Sequence, residues 1–303
     1  MNKSIDKNLS IRIIINPKAG RNISRKFIEK PIDTIKKFFS DKKITVDIKE
    51  TKRKGHAKIL AKNKRFDIII AVGGDGTINE VINGFSLENS NADNRQLLGI
   101  IPTGSENVFA KEMNIPLNVK RACEVILRMN HRKIDLGLVN NKRFIFTLGI
   151  GFDAQAITQA DPFIKQIIGK HSYLLAGFKT LFSYKQEEIT ITNKNKKHKG
   201  YFALVNNLKL YGGKMIFTPD AKPDDGYFDV CLFKKRDIFS MFKNLASAKS
   251  GHIKTFGDVE IFKCKEAIIT SKKPVLYHTD AEISGKTPVS VSIKKHAIDL
   301  IIP

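Results

Sequence analysis

Along the first 135 positions, apolar residues alternate between short aliphatic runs and stretches where they recur every three or four residues. The runs Ile11–Ile15, Thr45–Lys49, Ile68–Val72 and Leu97–Ile101 predict strands. Ile68–Val72 is wholly aliphatic, as expected of a strand covered on both faces of a parallel sheet. Between the strands, Lys26–Phe39, Gly55–Lys62, Ile78–Phe85 and Val119–Met129 predict helices. In the third of these, Ile78, Val81, Ile82 and Phe85 share one face and Gly84 stands where the pattern stops. Pro31 sets either the start of the first helix or a kink in it. Strand and helix in alternation predict an α/β domain with a doubly wound parallel sheet.

From Phe144 the pattern changes to period two. Glu188–Thr192, Tyr201–Val205, Phe228–Phe233, Val259–Phe262, Ala267–Thr270, Val275–His278 and Val289–Ile293 are short alternating runs bounded by turn residues. They predict an antiparallel β-sandwich or barrel-like domain. Two helices interrupt it, one around Phe163–Phe182 and one from Ile238 to Ala248, capped by Asp237 and closed by Gly251. The expected division is residues 1–135 and 136–303, with the apolar run Ala297–Ile302 returning to the first domain.

Composition narrows the classes. The 303 residues, 42% hydrophobic and without a low-complexity tract, suit two folded domains. No apolar run approaches the ~18 residues that span a bilayer, and the first ten residues lack the apolar core of a signal peptide, so a cytoplasmic protein is expected. Cys123, Cys231 and Cys264 are too scattered for a disulfide frame or a zinc site, and the seven histidines show no ligand spacing and mostly read as surface or packing residues. A net charge of +23 favours acidic partners: nucleic acid, nucleotide phosphates or anionic lipid headgroups. No aromatic-interleaved basic motif marks a nucleic-acid partner, so none is expected. The run Lys194–Lys199 reads as a solvated hairpin loop.

Candidate chemistry lies where three strands end. After Ile68–Val72 the chain reads Gly73-Gly74-Asp75-Gly76-Thr77 and then enters a helix. The first N–H groups of such a helix suit a phosphate oxygen, and glycines let it come close to the backbone. Asp75 among phosphates implies a divalent cation or a second anion-neutralising group between them, which points to nucleoside triphosphate chemistry. Asn16-Pro17-Lys18-Ala19-Gly20 and Pro102–Lys111 follow two further strands at the same carboxyl edge, where open α/β folds bind ligands.

These segments resemble the diacylglycerol kinase catalytic domain family, which includes bacterial lipid kinases and sphingosine and ceramide kinases. Val72–Glu80 is similar to its signature, and Asn16–Gly20, Thr51 with Gly55-His56-Ala57, and Pro102–Lys111 to its other nucleotide segments. Tyr211–Ala221 and Asp224–Val230 are similar to its later Gly-Gly, Pro-x-Ala and Asp-Gly block, so the resemblance covers nearly the whole chain. It implies an N-terminal domain of NAD kinase-like fold, a C-terminal β-sandwich, and transfer of the γ-phosphoryl group of ATP, with Mg2+, to the hydroxyl of diacylglycerol or a related membrane lipid entering between the domains.

Residue by residue, the resemblance gives ATP to Asn16, Pro17, Lys18, Ala19, Gly20, Thr51, Gly74, Asp75, Gly76, Thr77, Ile78, Asn79, Glu80 and Ser105. Asp135 would help organise the catalytic magnesium. Lys222 and Tyr227 through main-chain oxygen and Asp225 through its carboxylate would hold a second, structural one. Asp280-Ala281-Glu282 would supply the general base; either carboxylate could accept the proton, Glu282 being favoured, and strand alternation would point both to one face. Ala281, Val108 and Lys214 depart from the family pattern, Ala281 at a glycine and Val108 at an aspartate. The implied partner is a lipid at an anionic membrane surface, met by peripheral association, with a homodimer an allowed assembly. Two alternatives stay open: a kinase of the NAD kinase type acting on a soluble substrate, and a nucleotide- or lipid-binding module without turnover.

Overall fold

A computed structural model describes residues 9–20, 31–85, 96–140, 142–159, 187–213, 215–236 and 258–303. The chain divides into two compact units, Met1–Ile134 with His296–Pro303, and Asp135–Lys295.

In the first unit the order is β1 (Ile11–Ile15), α1 (Pro31–Asp41), β2 (Val46–Glu50), α2 (His56–Ala61), β3 (Ile68–Gly73), α3 (Asp75–Gly84), β4 (Leu97–Pro102), α4 (Val108–Glu112) and α5 (Val119–Arg128). The strands lie parallel in the order β2-β1-β3-β4. β3 has a partner on each side and every one of its residues is buried. This explains why its sequence carries no polar alternation. Ile35, Phe38 and Phe39 of α1 and Ala122, Cys123, Val125 and Ile126 of α5 close the core over Ile13, Ile68 and Ile70. Pro31 opens α1, where its missing N–H is not needed; positions 26–30 of the expected helix lie outside the described residues. The chain's end adds a further parallel neighbour to β4, Asp299 opposite Leu97 and Leu300 opposite Leu98. The five-residue helix α4 was not legible as a period, because it is shorter than two turns.

β5 (His131–Val139) leads into the second unit, where β6 (Lys142–Phe144), β7 (Thr147–Ile150), α6 (Phe152–Gln159), β8 (Ile189–Asn193), β9 (Lys196–Gly200), β10 (Phe202–Asn206), β11 (Leu210–Tyr211), β12 (Met215–Ile216), β13 (Phe228–Phe233), β14 (Val259–Cys264), β15 (Glu266–Ser271), β16 (Leu276–Thr279), β17 (Glu282–Lys286) and β18 (Val289–Ile301) follow. One antiparallel sheet runs β14-β13-β10-β7-β16-β17. Facing it, β9, β8, β15 and the first residues of β18 pair antiparallel. Leu148, Ile150, Val205, Phe228 and Val230 from the first sheet meet Ile189, Ile191, Ile269, Val289 and Val291 from the second in one core. The second unit is thus an antiparallel β-sandwich. The helices expected at Phe163–Phe182 and Ile238–Ala248 lie outside the described residues.

Of the lysine-rich run only Lys194 and Asn195 form the hairpin turn. Lys196–Gly200 is strand β9, paired with β8 on one side and largely exposed. Loop composition and edge-strand composition coincide here, since lysines on an outer strand discourage pairing with another chain. All three cysteines are free and buried, and burial pushes the Cys123 and Cys264 thiols up to about 12.

His198 of β9 stacks on Phe262 at 3.9 Å, and its Nδ1 lies 2.8 Å from Glu260, whose other oxygen meets Lys234 Nζ at 2.8 Å. Burial alone would raise the Glu260 pKa, but Lys234 and His198 hold it below its ordinary 4.5. A carboxyl depressed on folding contributes stability above its unfolded pKa that is lost as pH falls through the folded one. The Tm advantage of the native chain over Glu260→Gln is therefore expected in full at pH 6 and shrinks as pH falls below 4.5 through the folded pKa. Thermal melts of both proteins across that range check it; a gap that persists in acid would contradict the ion-pair account.

Candidate active site

The carboxyl ends of β1, β3 and β4 bring the first set of expected residues together. Asn16 N–H donates to Val72 O at 2.9 Å, and the Asn16 side-chain amide donates to Thr77 Oγ at 3.1 Å while its carbonyl accepts Lys18 N–H at 3.0 Å. Thr51 N–H reaches Ile15 O at 2.8 Å. Glu80 accepts Gly55 N–H at 2.8 Å and Ala57 N–H at 3.1 Å, one on each oxygen. The Thr51–Ala57 turn is thereby tied to α3. Glu80 acts here through main-chain anchoring, a role its place in the signature does not reveal.

The glycines divide into two kinds. A Cβ on Gly104 would overlap the Gly74 Cα, and one on Gly74 would lie 3.1 Å from the Gly104 Cα. These two serve the packing of one turn against another. A Cβ on Gly76 would meet nothing within 4 Å. Gly76 is exposed in the first turn of α3, whose earliest main-chain bonds run from Thr77 and Ile78 N–H to Gly74 O at 2.9 and 3.1 Å. The space a side chain would enter there lies open at a helix N-terminus, which leaves room for a phosphate. Ser105 and Lys18 are exposed beside their turns, Asn79 is half-buried, and Ile78 is in the core.

Asp75 accepts N–H from Val108 at 3.1 Å and Phe109 at 3.0 Å, capping α4. Burial raises its pKa, and these N–H bonds offset part of the rise. Each oxygen retains a lone pair, so the carboxylate still fits a water of a hydrated hard cation. Val108 supplies a main-chain contact where the family pattern has a carboxylate. Asn107, buried at φ 49°, exchanges two 2.9 Å bonds with Gly104 and so shapes the turn that carries Ser105. Only its left-handed conformation marks it, and sequence spacing does not carry that.

In the second unit, Asp135 is fully buried. Its N–H donates to Pro223 O at 2.6 Å and its carboxylate accepts Gly226 N–H at 2.7 Å. It thus fixes the loop that carries Lys222, Asp225 and Tyr227. Within that loop Asp225 accepts Tyr227 N–H at 3.0 Å and Lys263 Nζ at 2.9 Å, and the same ammonium lies 2.8 Å from Asp229. Burial alone would lower the Lys263 pKa, but the two carboxylates hold it above its ordinary value. As folded, Asp225 has Lys263 as its counter-charge. Lys222 and Tyr227 are exposed, and Tyr227 faces Lys265 Nζ at 5.0 Å from its ring. Among the described residues no group of three or more His, Cys, Asp or Glu side chains is placed to hold a metal ion.

Asp280 and Ala281 are the two turn residues between β16 and β17, at φ 48° and 63°. Alternation therefore does not apply to Asp280, which lies outside the strand. Its carboxylate accepts three main-chain N–H bonds, from Ile145 at 2.7 Å, Phe146 at 2.9 Å and Thr147 at 3.1 Å. Glu282 is the first residue of β17, its side chain 45% exposed and 3.4 Å from Lys142 Nζ. One carboxylate is committed to the backbone, and the other faces outward beside an ammonium.

Residues 10–139 match the family described as Diacylglycerol kinase catalytic domain, and residues 147–302 that described as YegS C-terminal NAD kinase beta sandwich-like domain. The chain belongs to the diacylglycerol kinase catalytic domain family of lipid kinases. It is similar to the diacylglycerol kinase of Staphylococcus aureus (strain NCTC 8325 / PS 47), 29% identical over 96% of this chain and 92% of that protein. Two solved structures share its fold, a putative diacylglycerol kinase from Bacillus anthracis str. Sterne (TM-score 0.76, 23% identity) and a diacylglycerol kinase from the same strain (TM-score 0.73, 22% identity). Each match covers 97% of both chains. Among the described residues no helix is long and apolar enough to cross a membrane.

Proposed function

We propose that this chain transfers the γ-phosphoryl group of ATP to the hydroxyl of diacylglycerol or a related membrane lipid, in the presence of Mg2+. The observation that carries the reading is the division of labour at Asp280 and Glu282. A base must be close to the attacking hydroxyl yet held still, and Asp280 locks the turn while Glu282 projects from it. Gly76 and the turns around it receive the triphosphate, whose charge the metal that accompanies the nucleotide neutralises. Asp75 lies within the same set of turns and offers oxygen lone pairs to the hydration shell of such an ion. Glu282 accepts the proton of the lipid hydroxyl as it attacks.

The lipid is met at an anionic membrane surface from the cytoplasmic side. A net charge of +23 supports this, since each Lys or Arg near such a surface contributes ~1 kcal/mol. Incubation with mixed vesicles containing phosphatidylglycerol and diacylglycerol, labelled ATP and Mg2+ should move label into the organic phase. Label transferred instead to NAD, or to no acceptor across a panel of lipid classes, would overturn the assignment.

A further inference from the structure

Among the described residues of the second unit, a buried histidine is linked to a carboxylate and a phenol that the proposed reaction does not use. His278 of β16 is fully buried two residues before Asp280. Its Nδ1 accepts the N–H of Ala281 at 3.2 Å. A main-chain N–H can only donate, so Nδ1 carries no proton, and the ring's proton sits on Nε2. Nε2 contacts Asp153 Oδ2, in the first turn of α6, and Tyr211 Oη donates to the same oxygen. Gly149 stands opposite His278 in the β7–β16 pair, and any Cβ there would overlap both the imidazole and the Asp153 carboxylate. The strand leaves this position empty so that the ring can lie across it.

What the ring holds is a strained residue. Ala281 at φ 63° takes a left-handed conformation that a residue with a Cβ adopts only at a cost. Glycine would adopt it freely. In this chain the cost is offset from the side: Asp153 and Tyr211 fix the imidazole, and the imidazole fixes the Ala281 N–H. The next residue is Glu282.

We propose that His278, oriented by Asp153 and Tyr211, is a positioning residue that holds the Ala281 turn in its left-handed form and so aims Glu282 at the acceptor hydroxyl. This rests on the reading of Glu282 as the base. His278 itself touches neither substrate nor nucleotide in this account.

The test compares the full chain with His278→Leu, His278→Asn and the double variant His278→Leu/Ala281→Gly, with Ala281→Gly as reference. Asn keeps an acceptor oxygen near the place of Nδ1, whereas Leu keeps only bulk. Expected are a kcat for His278→Leu reduced at least about tenfold with KM for ATP within twofold, and recovery of most of that loss in the double variant. His278→Asn should stay within a few-fold of the native kcat. Amide hydrogen exchange at Ala281 should be at least tenfold faster in His278→Leu than in the native chain or His278→Asn. Native kcat in His278→Leu, no rescue by glycine, or unchanged exchange would each overturn the proposal. Should His278→Leu not fold, His278→Asn decides alone, and a kcat as low as that of a Glu282→Gln enzyme overturns it. The exchange measurement needs no turnover: protection lost with the imidazole while Glu282→Gln keeps full activity would sink the assignment of the base and leave the turn device standing.

Discussion

Glu282→Gln is expected to lower kcat by about 10²–10⁴-fold, the usual worth of a positioned base, while leaving ATP affinity within twofold. Gln matches Glu in shape but cannot accept the hydroxyl proton. The Glu282 ion pair to Lys142 Nζ lies at a partly exposed surface, so its removal costs little stability. Asp280 differs, because it satisfies three main-chain N–H groups and its own removal is a folding defect. Radiolabel transfer to diacylglycerol vesicles and calorimetric titration with ATP separate turnover from nucleotide binding. A Gln enzyme within tenfold of the native rate would move the base elsewhere.

The second large effect is a contrast between two glycines in the nucleotide turns. Gly76→Val should fold with stability changed by less than about 0.5 kcal/mol, because its side chain enters open space. The same side chain enters the room left for a phosphate, and ATP affinity should fall at least about tenfold, a loss of ~1.4 kcal/mol. Gly104→Ala should do the reverse in order of cause. Its Cβ overlaps the main chain at Gly74, which cannot rotate away, so ~1–3 kcal/mol of stability goes first and ATP binding weakens as a consequence. Chemical denaturation and ATP titration of both variants distinguish the cases. Equal destabilisation by the two would mean that Gly76 is a packing glycine as well.

Much of this architecture is legible in the sequence. Long aliphatic runs with no polar alternation are legible as central parallel strands, and β3 is the case in point. Lys196–Gly200 was not, since charge without hydrophobic alternation describes a loop and an edge strand equally well. At the site, the turns were legible because glycine and aspartate after a strand have few uses. The roles within them were not. That Gly74 and Gly104 press on each other while Gly76 faces open space depends on which loops adjoin, a long-range fact. Likewise Lys263, far along the chain from Asp225, and His278, one histidine among seven, gain meaning only once β14 and β16 are placed.

The ammonium between Asp225 and Asp229 gives the second unit a property that an exchangeable ion could not. A charge tethered by its own polypeptide has an effective concentration set by chain geometry, independent of the surrounding medium. The Asp225 loop therefore keeps its counter-charge whether free divalent ions are scarce or abundant.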